Sequence, residues 1–276
     1  MAKPLIIKGN EMTSIQPNEL SILLIEPSDT QRKIIVNQLK KQDISEITLA
    51  KSLDEARAIL ARQHYDLIAS AMYFKNGTAL DLLKEIKHSE RNQDSAFMLV
   101  SSEYKRKNLE EYKQSGVVAI LPKPFTSEHL HAAINNTIDL LTADEIELEF
   151  FDVHEIRVLL VDDSKLARNH IRRVLNNLGL LKVTEAVDGK EAIELLNNNM
   201  FDLIVTDYNM PEVDGRELTR YVREQSQQSH LPILMVTSES NDTHLANIEQ
   251  DGVNALCDKP FEPEYVKQIL FRLLDQ

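Results

Sequence analysis

Cysteine occurs once, at Cys257, so the chain can form no internal disulfide. The usual structural zinc sites, which need at least two cysteines, are excluded as well. Aromatic residues make up only 5% of the chain, and no stretch approaches the ~18 consecutive apolar residues needed to span a bilayer. The amino-terminal apolar run breaks after three residues, at Lys8, which is not the pattern of a secretory signal. These absences point to the reducing cytoplasm, with no membrane insertion. What is present is ample core material: 42% of 276 residues are hydrophobic, a length better divided into two domains than one. Positive charge is scarce in one half. Residues 1–144 carry 18 Lys/Arg against 19 Asp/Glu, whereas residues 145–276 carry 13 against 25. An acidic surface is a poor match for nucleic acid, which is held mostly by Lys/Arg on phosphates. Acid at the right spacing would instead recruit a divalent cation.

The chain repeats itself at an offset of 136 residues. SILLIEPS at 21–28 lies over RVLLVDDS at 157–164, YDLI at 65–68 over FDLI at 201–204, GVVA at 116–119 over GVNA at 252–255, and KPF at 123–125 over KPF at 259–261. Four blocks at one offset imply a duplicated domain rather than a solenoid repeat. In the second copy, short apolar runs at 157–161, 182–186, 202–206, 232–236 and 255–257 alternate with helical periodicity at 164–178, 189–198, 217–224, 243–250 and 263–274. Five βα units imply a parallel sheet covered on both faces. The expected architecture is α/β, with two tandem (βα)5 doubly wound sheets in the flavodoxin-like strand order 2-1-3-4-5. The domains are expected at 21–141 and 156–276, after a tail at 1–20. Residues 142–155 (TADEIELEFFDVHE) hold six acids and neither glycine nor proline, so the linker is expected to extend the preceding helix.

Ligands of such sheets sit at the carboxyl ends of the strands. There the second copy places Asp162-Asp163, then Asp207, then Thr237-Ser238, then Lys259-Pro260. Three converging carboxylates must take up protons or bind a cation, and an oxygen-only set with room for water suits Mg²⁺ or Mn²⁺. Asp163 or Ser164 could also simply cap the next helix, and Asp214-Gly215 reads as loop and helix-start chemistry.

Taken together, the acidic pair, DYNMPEVDG around Asp207, the threonine and the Lys-Pro-Phe resemble the receiver domain of two-component signalling, the fold of the chemotaxis response regulator. The resemblance implies that Asp207 is the nucleophile, capturing a phosphoryl group from a partner histidine. It implies that Asp162 and Asp163 hold Mg²⁺ with the Asp207 carboxylate and the Asn209 carbonyl, and that the Lys259–Pro260 bond is cis. Phosphoryl transfer needs charge neutralised on the equatorial oxygens: the metal, the Lys259 ammonium and the Thr237 hydroxyl with a nearby N–H would each cover one. Leu256 departs from the aromatic often found three residues before the lysine. Asn209 and Glu239 could orient water at the phosphoryl group, which implies a short-lived phosphate.

Carried back by 136, the same positions are Glu26-Pro27, Ala71, Ser101 and Lys123-Pro124. Alanine has no nucleophilic oxygen, so the first copy resembles a pseudo-receiver, with a Glu26–Lys123 ion pair expected in the vacated pocket. Met72-Tyr73-Phe74 either form a contact surface or pack on their own sheet, and His170 is expected at the surface. The partners implied are a histidine kinase or histidine phosphotransfer protein and an unidentified downstream protein. The expected function is a response regulator or phosphorelay protein that signals by binding and catalyses only its own phosphorylation and dephosphorylation. Two other readings stay open: the regulatory part of a larger enzyme such as a nucleotide cyclase, and an aspartate-nucleophile phosphatase, which would want an acid at Asn209.

Overall fold

Apolar runs of four to six residues become the strands of two parallel sheets. The computed structural model describes residues 15–103, 105–142, 145–148, 151–238 and 252–274. In the first domain, β1 (Ile22–Ile25), β2 (Ile47–Ala50), β3 (Leu67–Ala71), β6 (Ala96–Ser101) and β7 (Ala119–Pro122) pair in the order β2-β1-β3-β6-β7. A two-residue hairpin, β4 (Tyr73–Phe74) with β5 (Gly77–Thr78), follows the third sheet strand. In the second domain, β8 (Arg157–Val161), β9 (Lys182–Ala186), β10 (Leu203–Asp207), β11 (Ile233–Thr237) and β12 (Ala255–Asp258) pair as β12-β11-β10-β8-β9. Each sheet therefore has the expected flavodoxin-like order. Strands β1, β3, β6, β10 and β11 are buried along their whole length, as a sheet covered on both faces requires.

Helices α1 (Asp29–Lys40), α2 (Leu53–Leu60), α3 (Ala79–Lys87), α4 (Arg106–Lys113) and α5 (Ser127–Leu141) cover the first sheet. Helices α6 (Lys165–Asn177), α7 (Gly189–Asn198), α8 (Gly215–Glu224) and α9 (Pro263–Leu274) cover the second. The helix expected at 243–250 and the candidate Glu239 lie outside the described residues. Cap residues fix where the loops end: Ser28 caps α1, and at the equivalent place Ser164 caps α6. Because Ser164 does the capping, both acids before it are left to the sheet edge. The tail is shorter than expected, since Pro17–Glu19 form a 3-10 turn and Leu20 is fully buried in the first core. No described helix is long and apolar enough to cross a membrane.

The expected helical linker is not found. Helix α5 stops at Leu141, Thr142 is extended (φ −89°, ψ 128°), and residues 145–148 have no regular structure. The physical reason is burial. The irregular path sinks both Ile146 and Val153 into one apolar cluster with Leu140 of α5 and Leu175 of α6. It also places the Ile146 N–H on the Leu178 carbonyl at the end of α6, 3.0 Å away. The cluster runs without a break from one domain into the other, so they share a core.

Further along this seam, Gly116 (φ +72°) lies so close to α6 that a Cβ there would come 2.8 Å from the His170 Cβ and 3.0 Å from the Leu166 carbonyl oxygen. His170 is thus half-buried between the domains, not a surface residue. Its Nε2 lies 3.3 Å from the Phe261 carbonyl oxygen. Burial, with Lys87 of α3 and Arg173 of α6 nearby, pushes its pKa down to about 4. Lys87 is itself lowered to about 8 by burial and by Arg173, against the pull of Asp94. A neutral native imidazole competes with an unfolded one that protonates near 6.5. Stability is therefore complete above that pH and is lost as pH falls toward 4. Because the residue keeps some exposure, the expected loss between pH 7 and pH 5 is about 1 kcal/mol. Urea unfolding should show the loss in wild type and not in His170→Gln.

Candidate active site

The carboxyl edge of the second sheet gathers one polar side chain from each of four strands. Asp162 follows β8, Asp207 ends β10, Thr237 ends β11, and Lys259 follows β12. The parallel register sets Asp207 beside Val236 and Thr237 beside Asp258, which aligns the strand ends. The Lys259 backbone N–H donates to the Thr237 carbonyl at 2.7 Å, and the Lys259–Pro260 peptide is cis. Asp162, Asp207, Thr237 and Lys259 are all at most 4% exposed, so their charges act in a poorly screened pocket.

Lys259 Nζ lies 2.9 Å from Asp162 Oδ2 and 3.0 Å from Asp207 Oδ1. Asp162 Oδ1 accepts the Ser164 N–H at 2.8 Å, and Asp207 Oδ1 accepts the Tyr208 N–H at 2.9 Å. Asp207 Oδ2 is buried with no hydrogen-bond partner. Burial pushes the Asp207 pKa up to about 7, with Lys259 opposing and Asp162 adding to the rise. Burial likewise raises Asp162 against the pull of Lys259. Burial alone would lower Lys259, but Asp207 and Asp162 hold it above its ordinary value.

Asp162, Asp163 and Asp207 each bring a carboxylate oxygen within 4.8 Å of the others, the one such cluster of possible metal ligands among the described residues. The donor set is all oxygen, Asp163 is exposed, and a buried oxygen is left orphaned. That fits a hard divalent cation which keeps some of its water. Asn209, the fourth expected ligand, sits in the exposed bend two residues after Asp207. A cavity of about 720 Å³ opens beside Arg157, Asp202 and His230 at the other edge of the sheet and is lined by none of the site's side chains.

In the first domain the equivalent edge holds a different set. Lys123 Nζ lies 2.5 Å from Glu26 Oε2, the ion pair expected in the vacated pocket. Met72 fills space near Ala71, its sulfur 3.4 Å from the Ser101 hydroxyl. Ser70 is fully buried and donates to the Ala71 carbonyl, so it offers no substitute nucleophile. Of the next residues, Met72 packs on its own core while Tyr73 is 55% exposed, so that trio divides between the two expected roles.

Three further residues carry weight that their sequence positions do not announce. Arg168 donates to the Asp162 carbonyl at 2.7 Å and Arg32 to the Glu26 carbonyl at 2.6 Å, each holding the turn that presents the acids. Their separation by 136 was the available signal. Gln114, the residue ending α4 of the first domain, reaches into the second domain's site and accepts from Lys259 Nζ at 2.5 Å.

The family model for the response regulator receiver domain matches residues 22–135 and again 158–271. The chain belongs to the response regulator receiver family. Among its relatives, the chemotaxis protein CheY of Pseudomonas aeruginosa is 36% identical over 121 residues, covering 44% of this chain and 98% of that protein. Among solved structures, a two-component system response regulator/GGDEF domain protein is 25% identical, covering 92% of this chain and 99% of that one, with a TM-score of 0.41. The receiver domain of a Pseudomonas aeruginosa sensor histidine kinase, with a magnesium ion coordinated in its active-site cleft, is 30% identical, covering 44% and 98%, with a TM-score of 0.41. In the first of these two receivers, Ala71 stands where Asp207 stands in the second.

Proposed function

We propose that the second receiver accepts a phosphoryl group from the phosphohistidine of a histidine kinase or histidine phosphotransfer protein onto Asp207. The output is altered protein binding, and the only chemistry of these two domains is the gain and loss of that phosphoryl group. The observation that carries this reading is Lys259 held between Asp162 and Asp207, beside a buried Asp207 oxygen that nothing satisfies.

The pocket suits the reaction. A carboxylate oxygen of Asp207 forms the new P–O bond as the P–N bond to the donor imidazole breaks, and the imidazole leaves with a proton from solvent. Lys259, positioned by both acids, neutralises charge on one equatorial oxygen, and the Thr237 side chain lies at the strand end next to it. Asp162, Asp163 and Asp207, with the Asn209 carbonyl, would hold Mg²⁺, which would supply further neutralisation of the phosphoryl oxygens when bound. The first receiver, with Ala71 and a closed Glu26–Lys123 pair, takes no phosphoryl group.

The test is incubation of the full chain with acetyl phosphate and Mg²⁺, followed by intact mass and peptide mapping. One phosphoryl group, on the peptide containing Asp207, is expected. Uptake on a peptide of the first receiver, or none at all, would overturn the reading.

A further inference from the structure

The end of α4 in the first receiver lies over the phosphoacceptor pocket of the second through three polar contacts. Gln114 Oε1 accepts from Lys259 Nζ at 2.5 Å, the Gln114 carbonyl accepts from the Ser164 hydroxyl at 2.7 Å, and the Ser238 hydroxyl donates to Glu110 Oε1. These contacts do not touch the seam at random. Ser164 is two residues from Asp162, Ser238 follows Thr237, and Lys259 is the cation of the site.

An ammonium has three donors. On Lys259 they are directed at Asp162, Asp207 and Gln114. A phosphoryl oxygen that needs this cation must replace one of the three. As the phosphoryl group arrives, Asp162 and the still-unesterified Asp207 are acidic acceptors fixed on the same sheet, whereas Gln114 is a neutral amide on a different domain. Gln114 is the acceptor that gives way, because charge-assisted hydrogen bonds are the stronger ones. Glu110 adds to this, since a carboxylate held on the hydroxyl of Ser238, the residue after Thr237, opposes further negative charge arriving at the strand ends.

We propose that the first receiver caps the phosphoacceptor site of the second, with Gln114 holding the place of a phosphoryl oxygen on Lys259 and Glu110 repelling it. The proposal rests on Asp207 being the acceptor and assigns the pseudo-receiver its role in that reaction. Phosphoryl uptake displaces the end of α4. By linkage, the cap disfavours the phosphorylated state by the same factor by which phosphorylation loosens the cap. The remainder of the seam stays joined, because its apolar cluster through Leu140, Ile146 and Val153 uses none of the pocket's polar side chains. The signal is thus an exposed α4 end on an otherwise intact pair of domains, a surface that a partner protein can read.

The test uses the full chain as wild type, Gln114→Ala and Glu110→Ala/Gln114→Ala, with acetyl phosphate and excess Mg²⁺. Uptake from subsaturating acetyl phosphate should be faster in the variants, on the order of tenfold for the double substitution, because only the uncapped fraction of the wild type is competent to react. In the wild type, amide hydrogen exchange over residues 108–116 should speed up on phosphorylation while exchange in α5 does not change. Uptake in all three proteins at one rate, or slower uptake in the variants, would overturn the cap and leave the phosphoacceptor reading standing. Exchange at 108–116 that is indifferent to phosphorylation would overturn the cap as well. No uptake in any of the proteins would overturn both.

Discussion

Asp207→Ala is expected to abolish phosphoryl uptake and yet to unfold at a higher temperature than wild type in metal-free buffer. The loss of uptake is complete because alanine offers no oxygen nucleophile. The gain in stability follows from the charge count in the pocket. Asp162, Asp163 and Asp207 crowd one edge with Lys259 as the cation between two of them, and Asp207 Oδ2 is buried without a partner. An orphaned buried acceptor costs about 1–3 kcal/mol, and the repulsion from Asp162 adds to that. After the substitution Lys259 keeps its 2.9 Å contact with Asp162, so no cation is stranded. The small void left by the carboxylate subtracts about 1 kcal/mol. A net gain of about 1–2 kcal/mol should raise the midpoint by several degrees. Saturating Mg²⁺ should shrink or reverse the difference, because the ion stabilises only the protein that retains the full site. A variant that melts below wild type without metal would mean that the acidic cluster is not strained.

Much of the second receiver was legible because its constraints are local or periodic. A strand covered on both faces must be apolar throughout, and β10 (Leu203–Asp207) shows that run ending in the acid. The offset of 136 then transferred the element order to the first domain. It also placed Glu26, Ala71 and Lys123 where they are found, and the Glu26–Lys123 pair followed from charge alone. What escaped were contacts between the domains. Gln114 and Glu110 belong to a helix whose sequence records only its own packing, and neither periodicity nor motif points from α4 to Lys259. His170 looked like a polar residue on a helix face because the domain opposite it is invisible in a local pattern. The linker misled for a related reason: its acidic composition suits a helix, but Ile146 and Val153 find burial against α6 that an isolated segment does not offer.

Gly215→Ala should be the most damaging small change outside the acidic cluster itself. A Cβ on Gly215 would stand 2.2 Å from the backbone oxygen of Asp207 and 3.1 Å from the Tyr208 Cα. Neither atom can retreat alone, since the Gly215 N–H bonds the Tyr208 carbonyl at 3.0 Å and the Tyr208 N–H bonds the Val236 carbonyl. Helix α8 is also fixed from its own side. Asp214 and Glu217 form a capping box there, and the Thr219 hydroxyl bonds the Gly215 carbonyl at 2.8 Å. The clash must therefore move either the start of α8 or the end of the strand that carries Asp207. Overpacking of this kind costs about 1–3 kcal/mol, and a backbone contact this short belongs at or above the upper end. A displacement of the acceptor by about 1 Å is enough to lower phosphoryl uptake on the order of 100-fold. Urea unfolding and the rate of uptake from acetyl phosphate, measured on the same preparation, separate the two effects. The variant should remain folded at low temperature, with the Glu26–Lys123 domain unaltered, while its uptake collapses. Wild-type uptake in a stable Gly215→Ala protein would show that the turn after Asp207 has room to yield, and that the acceptor does not depend on α8 for its position.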